Sequence, residues 1–262
     1  MIFKGELVSF FMNRFFVDPQ QINGTRVVIT GGDAHHIINV LRLKLGSRIV
    51  LSDGENYEYE GIIDKLGSDS VSVAIEVMKR SLSEPPVDII LAQGITKKMD
   101  KFELVVQKAS ELGAVRIVPL VTERTVVEIA SEKGERRRER WQRIALEAAK
   151  QSQRARIPEV DTPTDMESFL NSIPRDILCI IPWEGETAVG IKEILKLEKE
   201  KREMAGAALI IGPEGGFSKE EVDRARRAGA VPVSMGPRIL RSETAGIVAL
   251  GILMYELGDL GG

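Results

Sequence analysis

The chain has 262 residues, of which 43% are apolar and 29% charged, and its formal net charge is −3. This is the composition of an ordinary soluble globular protein with room for one large domain or two modest ones; nothing in the total charge announces a nucleic-acid partner, and its local distribution matters more than the sum. The single cysteine, Cys179, excludes an intrachain disulfide and suits a reducing cytoplasm. Residues 1–11 hold an apolar patch, but Lys4 and Glu6 interrupt it and no small-residue cleavage site follows, so neither a signal peptide nor a membrane span is expected.

Residues 12–80 read as a β-rich unit. Strands are expected over Arg14–Val17, Arg26–Thr30, Arg48–Ser52, Tyr57–Ile63 and Ser70–Met78, with a turn at Asp53-Gly54. Val71, Val73, Ile75 and Val77 alternate onto one face of the last strand. Gly31-Gly32-Asp33 ends the second strand and caps a short helix, Ala34–Leu41. Short strands spaced in this way predict a small barrel. The only histidines, His35 and His36, are adjacent and so point apart on a helix; with no further His or Cys cluster, no metal site is expected. Residues 81–86 (SLSEPP) read as a linker stiffened by two prolines.

From Val87 the pattern changes to alternating strands and helices, which predicts a mostly parallel sheet covered on both faces. Val87–Ala92 is a buried strand, and Asp100 caps a helix with Phe102, Val105, Val106 and Ala109 on one side. Gly113 ends it, and Val115–Val121 is the next strand. Then comes an arginine-rich helix over Glu135–Ile157. Between Arg136 and Arg156 it carries eight basic and two acidic side chains, a local charge of +6. Arginine in such excess favours phosphate contact over a merely solvated face. Ile177–Ile181 is a further strand, and Ile191–Arg202 a charged helix.

The chain is organised around Leu209–Leu250. An apolar strand stops at Gly212-Pro213, and Ser218 with Glu221 forms a capping box for the next helix. Gly229 sits at the C-cap, Val231–Met235 is a strand, a polar loop follows, and Ser242 can cap the last helix. The phrase ELGAVRIVPL resembles RAGAVPVSMG later on, as if two βαβ units were alike. Two loops, GPEGGFS and MGPRILRSETA, leave the carboxyl ends of strands, where open α/β sheets bind ligands. Neither a Walker A, a GxGxxG nor a Gly-x-Ser-x-Gly pattern is present, so the residues alone predict an α/β enzyme that binds a small adenine-like ligand.

GPEGGFSKEEVDRARRAGAVPVSMGPRILRSETA resembles the carboxyl-terminal signature of the SPOUT methyltransferases, and within them of the RsmE family. NRFFV at Asn13, HHIINVLRLKLGSRIVLSDG, KKMDKFELVVQKASELG and RWQRIALEAAKQSQR carry the same resemblance in the same order over nearly the whole chain. The resemblance implies a PUA-like barrel over residues 12–80 and a SPOUT domain with a trefoil knot over residues 87–262, with residues 1–11 an extension or an upstream start. It implies methylation of N3 of a uridine in 16S ribosomal RNA of the assembled small subunit, by a cytoplasmic homodimer with S-adenosyl-L-methionine as donor. The cofactor would be held by three loops. The first brings Pro182, Trp183 and Glu184; the second Gly212, Pro213, Glu214, Gly215 and Gly216; the third Met235, Gly236, Ile239, Leu240, Arg241, Thr244 and Ala245. Arg241 and Glu243 are the first candidates for helping N3 lose its proton, followed by Arg14 and Arg154. RNA contacts are expected from Arg14, His36, Arg42, Arg136, Arg140, Arg143, Lys150 and Arg154, with the uridine flipped out of its stack. A pure RNA-binding protein would have no use for the two glycine loops together, and the barrel motif argues against a transfer-RNA or ribose methyltransferase.

Overall fold

The computed structural model describes residues 12–55, 57–125, 131–200 and 206–261, so the expected extension over residues 1–11 lies outside the described residues. It divides into two units: the chain up to Glu84 together with Lys150–Ile157, and Pro85–Ala149 together with Pro158–Gly262.

The first unit contains β1 (Arg14–Phe16), β2 (Ile22–Asn23), β3 (Arg26–Thr30), α1 (Gly31–His35), β4 (Arg48–Ser52), β5 (Tyr57–Leu66) and β6 (Ser70–Arg80). The six strands form one curled sheet in the order β1-β4-β5-β6-β3-β2, antiparallel except for β1 beside β4. Phe15, Val27, Ile37, Ile49, Leu51 and Val71 fill its core. The helix starts at Gly31, not Ala34: Gly31 takes φ +68°, a turn out of β3 that favours glycine, and no side chain caps the helix. Beyond His35 it widens into a π turn over His36–Val40. The alternation expected along β6 breaks at Val77, which is 46% exposed. A register shift at Glu60/Gly61 pairs Glu60 with Val77 and Gly61 with Ile75, and the extra residue reverses which way the side chains beyond it face.

Residues 81–84, part of the expected linker, are held within the first unit. Ser81 Oγ donates to Glu58 Oε1 at 2.6 Å. Glu84 accepts from Arg154 Nη2 at 2.6 Å and from the backbone N–H groups of Ala155 and Arg156 at 2.9 Å each. Ser52 Oγ donates to the Ala155 carbonyl at 2.7 Å. Lys150–Ile157, which the sequence assigns to the second unit, is therefore stitched into the first.

Arg14 Nη1 meets Glu58 Oε1 at 2.7 Å, with side chains only 11% and 6% exposed. Burial works to raise the Glu58 pKa, but the hydrogen bonds from Arg14 and Ser81 and the charge of Arg14 outweigh it and leave it lowered. A carboxylate with a depressed folded-state pKa contributes stability that is present above its unfolded value and lost as pH falls through the folded one. Acid unfolding followed by circular dichroism should therefore lose part of its pH dependence on the acid side of the ordinary glutamate range in Glu58→Gln. An unaltered acid limb would show that the pair is not coupled to folding.

The second unit contains β7 (Asp88–Gly94), α2 (Met99–Glu111), β8 (Arg116–Val121), α3 (Ser131–Gln151, to Ala149 within this unit), β9 (Glu159–Val160), β10 (Thr164–Asp165), α4 (Met166–Ser172), β11 (Leu178–Pro182), α5 (Ile191–Glu200), β12 (Gly206–Ile211), α6 (Lys219–Arg227), β13 (Val231–Val233) and α7 (Ser242–Glu256). All of its strands pair in parallel, in the order β10-β8-β7-β12-β11-β13, with β9 also beside β8. β12 is buried at every position, as its unbroken GAALII run requires of a strand covered on both faces. Phe102, Trp141, Leu195 and Leu250 form the core on one face, and Phe169, Phe217, Val222 and Ala225 that on the other. The Phe102 and Trp141 rings lie 4.5 Å apart.

Three expected caps differ in detail. The capping box of Ser218 and Glu221 is present. Asp100, however, lies inside the first turn of α2, whose N-cap is Lys98. Ser242 is the first residue of α7, behind an Arg241 N-cap, and its hydroxyl is used elsewhere. The two similar βαβ phrases do share one device: Gly113 and Gly229 leave their helices at φ +98° and +100°.

Candidate active site

β11, β12 and β13 end side by side, and the loops that leave them enclose a cleft of about 860 Å³. That is within the rough 300–1,000 Å³ range of small-molecule sites. Pro182, Trp183 and Glu184 line it from the first loop, and Gly212, Pro213, Glu214, Gly215 and Gly216 from the second. The third supplies Met235, Gly236, Ile239, Leu240, Arg241 and, from the start of α7, Ala245. Thr244 does not belong to the lining: it is exposed on α7, and adjacent helix residues point apart, so Ala245 faces the cleft and Thr244 does not.

The glycine loop is fixed from several sides. Gly216 N–H donates to the Pro213 carbonyl at 2.9 Å and Gly216 has φ +65°. The Glu214 carboxylate accepts the Lys97 backbone N–H at 3.1 and 3.2 Å. Arg124 Nη1 donates to the Gly215 carbonyl at 2.7 Å. Below the loop, the buried Gln93 side chain donates to Ser242 Oγ at 2.8 Å, and Ser242 Oγ donates to the Gly212 carbonyl. β7 approaches so closely that a Cβ on Gly94 would lie 2.3 Å from the Pro213 nitrogen. On the first loop, Trp183 N–H donates to the Val233 carbonyl at 3.0 Å, and Glu186 accepts the N–H groups of Ala188 and Val189 at 2.9 and 3.3 Å. These two amide hydrogen bonds hold the Glu186 carboxyl below its ordinary pKa.

The lining combines flat and apolar side chains (Trp183, Phe217, Met235, Leu240) with bare backbone at Gly212, Gly216 and Gly236 and with the carboxylates of Glu184 and Glu186. Gly236 has φ +103°, and a Cβ placed there would meet nothing. Such walls fit a ligand with a planar apolar ring, hydroxyls and a charged end, which is the make-up of the expected cofactor.

The candidate catalytic residues separate. Arg241 lines the cleft and is exposed at its edge. Glu243 does not line it; its Oε1 lies 2.8 Å from Lys101 Nζ, and Lys101 does line the cleft. Burial opposes the charge on Glu243, but the hydrogen bond from Lys101, with the charges of Lys101 and Arg241, leaves its pKa lowered. Glu243 is thus held as an anion beside the cleft and behind Lys101, not in its lining. The Arg154 side chain is 3% exposed and bound to Glu84 within the first unit, so the structure does not bring it to the cleft. Arg14 spends its charge on Glu58.

Among the expected RNA contacts, His36 and Arg42 are exposed on the first unit, and Arg42 takes the left-handed φ of +52°. Arg136 and Arg143 are exposed on α3, as is Arg140, which pairs with Glu103 at 2.8 Å. An exposed pair of that kind is weak and leaves the arginine available. Lys150 is half-buried and paired with Asp33 at 3.4 Å.

Sequence reasoning missed Lys101, Gln93, Arg124 and Ser242 as parts of the site. Lys101 sits in KKMDKF, one turn into a helix entered from the carboxyl end of β7, and that position was its signal. Arg124 likewise follows the end of β8.

Residues 83–254 match the RNA methyltransferase domain family, and residues 29–76 the RNA methyltransferase PUA domain family. The chain is 32% identical over 249 residues to the ribosomal RNA small subunit methyltransferase E of Bacillus subtilis strain 168, an alignment covering 94% of this chain and 97% of that one. It is similar to the crystal structure of the enzyme of that name from Neisseria gonorrhoeae, bound to S-adenosyl methionine, with 28% identity, a TM-score of 0.82, and 95% and 99% of the two chains covered. A Legionella pneumophila methyltransferase solved with bound cofactor SAM gives 32% identity and a TM-score of 0.75, over 95% and 99% of the chains.

Proposed function

We infer the reaction from one premise: this chain belongs to the RNA methyltransferase family that includes the ribosomal RNA small subunit methyltransferase E enzymes. It is an S-adenosylmethionine-dependent methyltransferase of small-subunit ribosomal RNA. The observation that carries this reading is the cleft formed by the loops after β11, β12 and β13.

The expected target is N3 of a uridine, flipped into the cleft from the RNA stack. S-adenosylmethionine, when bound, supplies a methyl group already activated on a sulfonium. What remains for this chain is to place the base in line and to favour loss of the weakly acidic N3 proton. The glycine loop and Leu240 hold the donor by backbone groups and apolar contact. Arg241, at the edge of the cleft, offers a cation to the uracil oxygens. The exposed His36, Arg42, Arg136, Arg140 and Arg143 are assigned to the RNA backbone, where they set affinity and not the target base.

The remaining expectations are proposals with partial support. After β12 the chain passes outside β11 to reach β13, and α7 then returns to pack on β7, β12, α2 and α5, a path that favours the knot. Leu104, Val248 and Tyr255 are exposed apolar side chains on α2 and α7, which favours a second copy as partner. Among the described residues no helix is long and apolar enough to cross a membrane; a ribosomal RNA substrate supports a cytoplasmic enzyme.

The decisive experiment is transfer of labelled methyl to small subunits that lack the modification, followed by nucleoside analysis. The expected product is 3-methyluridine, and Arg241→Ala should lower its rate by about 10²–10³-fold while the cofactor still binds. Label on ribose or on transfer RNA would keep the fold and overturn the substrate.

A further inference from the structure

We propose that Lys101 is a catalytic residue of this reaction, its ammonium receiving the charge that develops on the uracil imide, and that Glu243 is the positioning residue that holds it there. The proposal rests on the uridine-N3 reading above. Lys101 Nζ lies 2.8 Å from Glu243 Oε1, and the two side chains are only 24% and 12% exposed. Glu243 Oε2 is buried with no hydrogen-bond partner. A carboxylate so enclosed is stable only beside a cation, so the pair is fixed, unlike a solvated surface lysine and glutamate.

The position is also wrong for stability. Lys101 occupies the first turn of α2, where the helix dipole disfavours a positive charge. Glu243, in the first turn of α7, supplies the anion that makes the lysine tolerable. Local rules broken inside a cleft point to function. The other charged groups around it are Glu184 and Glu186 from the β11 loop, Glu214 from the β12 loop, and Arg238 and Arg241 from the β13 loop. Glu214 and Glu186 already accept backbone N–H groups. Both histidines belong to the first unit. The second unit therefore offers no imidazole base, and the cations that line its cleft, Lys101 among them, are the chemistry available to a developing anion. In the reaction, N3 gives its proton to water and its electron pair to the new N–C bond, while the electrons of the old carbon–sulfur bond stay on the donor sulfur.

The test is single-turnover transfer to unmodified small subunits from neutral to alkaline pH, with cofactor affinity measured separately by calorimetry. Lys101→Met should slow transfer about 100-fold at neutral pH, as loss of one fixed charge-stabilising donor does. Its rise in rate should move to higher pH, because losing the cation raises the pKa of N3–H. The cofactor dissociation constant should stay within about threefold. Lys101→Arg should keep the pH profile of the parent protein. Glu243→Gln should slow the parent protein but add nothing to Lys101→Met, the signature of two residues acting as one. An unaltered rate and profile in Lys101→Met overturns the proposal, as does a lost rate matched by lost cofactor affinity. Lys101→Arg behaving like Lys101→Met at an unaltered pH profile makes the lysine structural and overturns it as well. If the parent protein places no methyl on N3, the reaction assigned above fails, and this proposal with it.

Discussion

Glu84→Ala should destabilise the first unit by about 3–5 kcal/mol, the cost of removing one partner from a buried ion pair. The Arg154 and Glu84 side chains are 3% and 9% exposed, so water cannot take the place of the missing carboxylate. Two backbone N–H groups, those of Ala155 and Arg156, would lose their acceptor in the same step. Scanning calorimetry would read the loss. The double variant Glu84→Gln with Arg154→Met should recover much of it, since an amide oxygen still accepts both N–H groups and no charge is left behind. A loss below about 1 kcal/mol in Glu84→Ala would mean that the segment gives way and lets the guanidinium reach solvent.

The largest effect on ligand binding should come from a single methyl group. In Gly94→Ala the new Cβ would lie 2.3 Å from the Pro213 nitrogen and 2.6 Å from the Gly212 carbonyl carbon, both backbone atoms. No side chain can rotate away, so β7 and the glycine loop must separate. Overpacking of this kind costs about 1–3 kcal/mol. Here the displaced atoms are also the cleft wall, and calorimetry should find cofactor affinity reduced by about 100-fold, roughly 2.7 kcal/mol. Gly190→Ala is the matched control: its Cβ would meet nothing, and its affinity should be close to that of the parent protein. Equal affinities for the two variants would sink the idea that the loop is positioned by this contact.

Much of the second unit was legible because its signals are local. β12 could be read from Leu209, Ile210 and Ile211 and the stop at Gly212, though it begins earlier, at Gly206, and the capping box of α6 from Ser218 and Glu221. The cleft could be placed because ligands gather at the carboxyl ends of parallel strands, and the predicted loop residues line it apart from Thr244. What could not be read depends on partners far away in sequence. Arg154 looks like one more arginine of a basic helix until Glu84, seventy residues earlier, is found beside it. Ser242 looks like a cap until Gln93 claims its hydroxyl across 149 residues. Glu243 reads as a base or a first-turn acid, and its ion pair with Lys101, 142 residues earlier, cannot be read from either segment alone. The bulge that turns Val77 outward is likewise a property of the β5–β6 pairing and not of β6 alone.

Lys150–Ile157 has a consequence for how the protein comes into being. The first unit is incomplete when residue 84 has been made, since the segment that binds Glu84 and Ser52 arrives only with residues 150–157. Domains that are continuous in sequence can close one after another as they leave the ribosome. This one must wait, with the carboxylate of Glu84 unanswered, until β7, α2, β8 and nearly all of α3 have been synthesised. A gene cut at the two prolines, Pro85 and Pro86, would therefore encode a barrel without its last stitch.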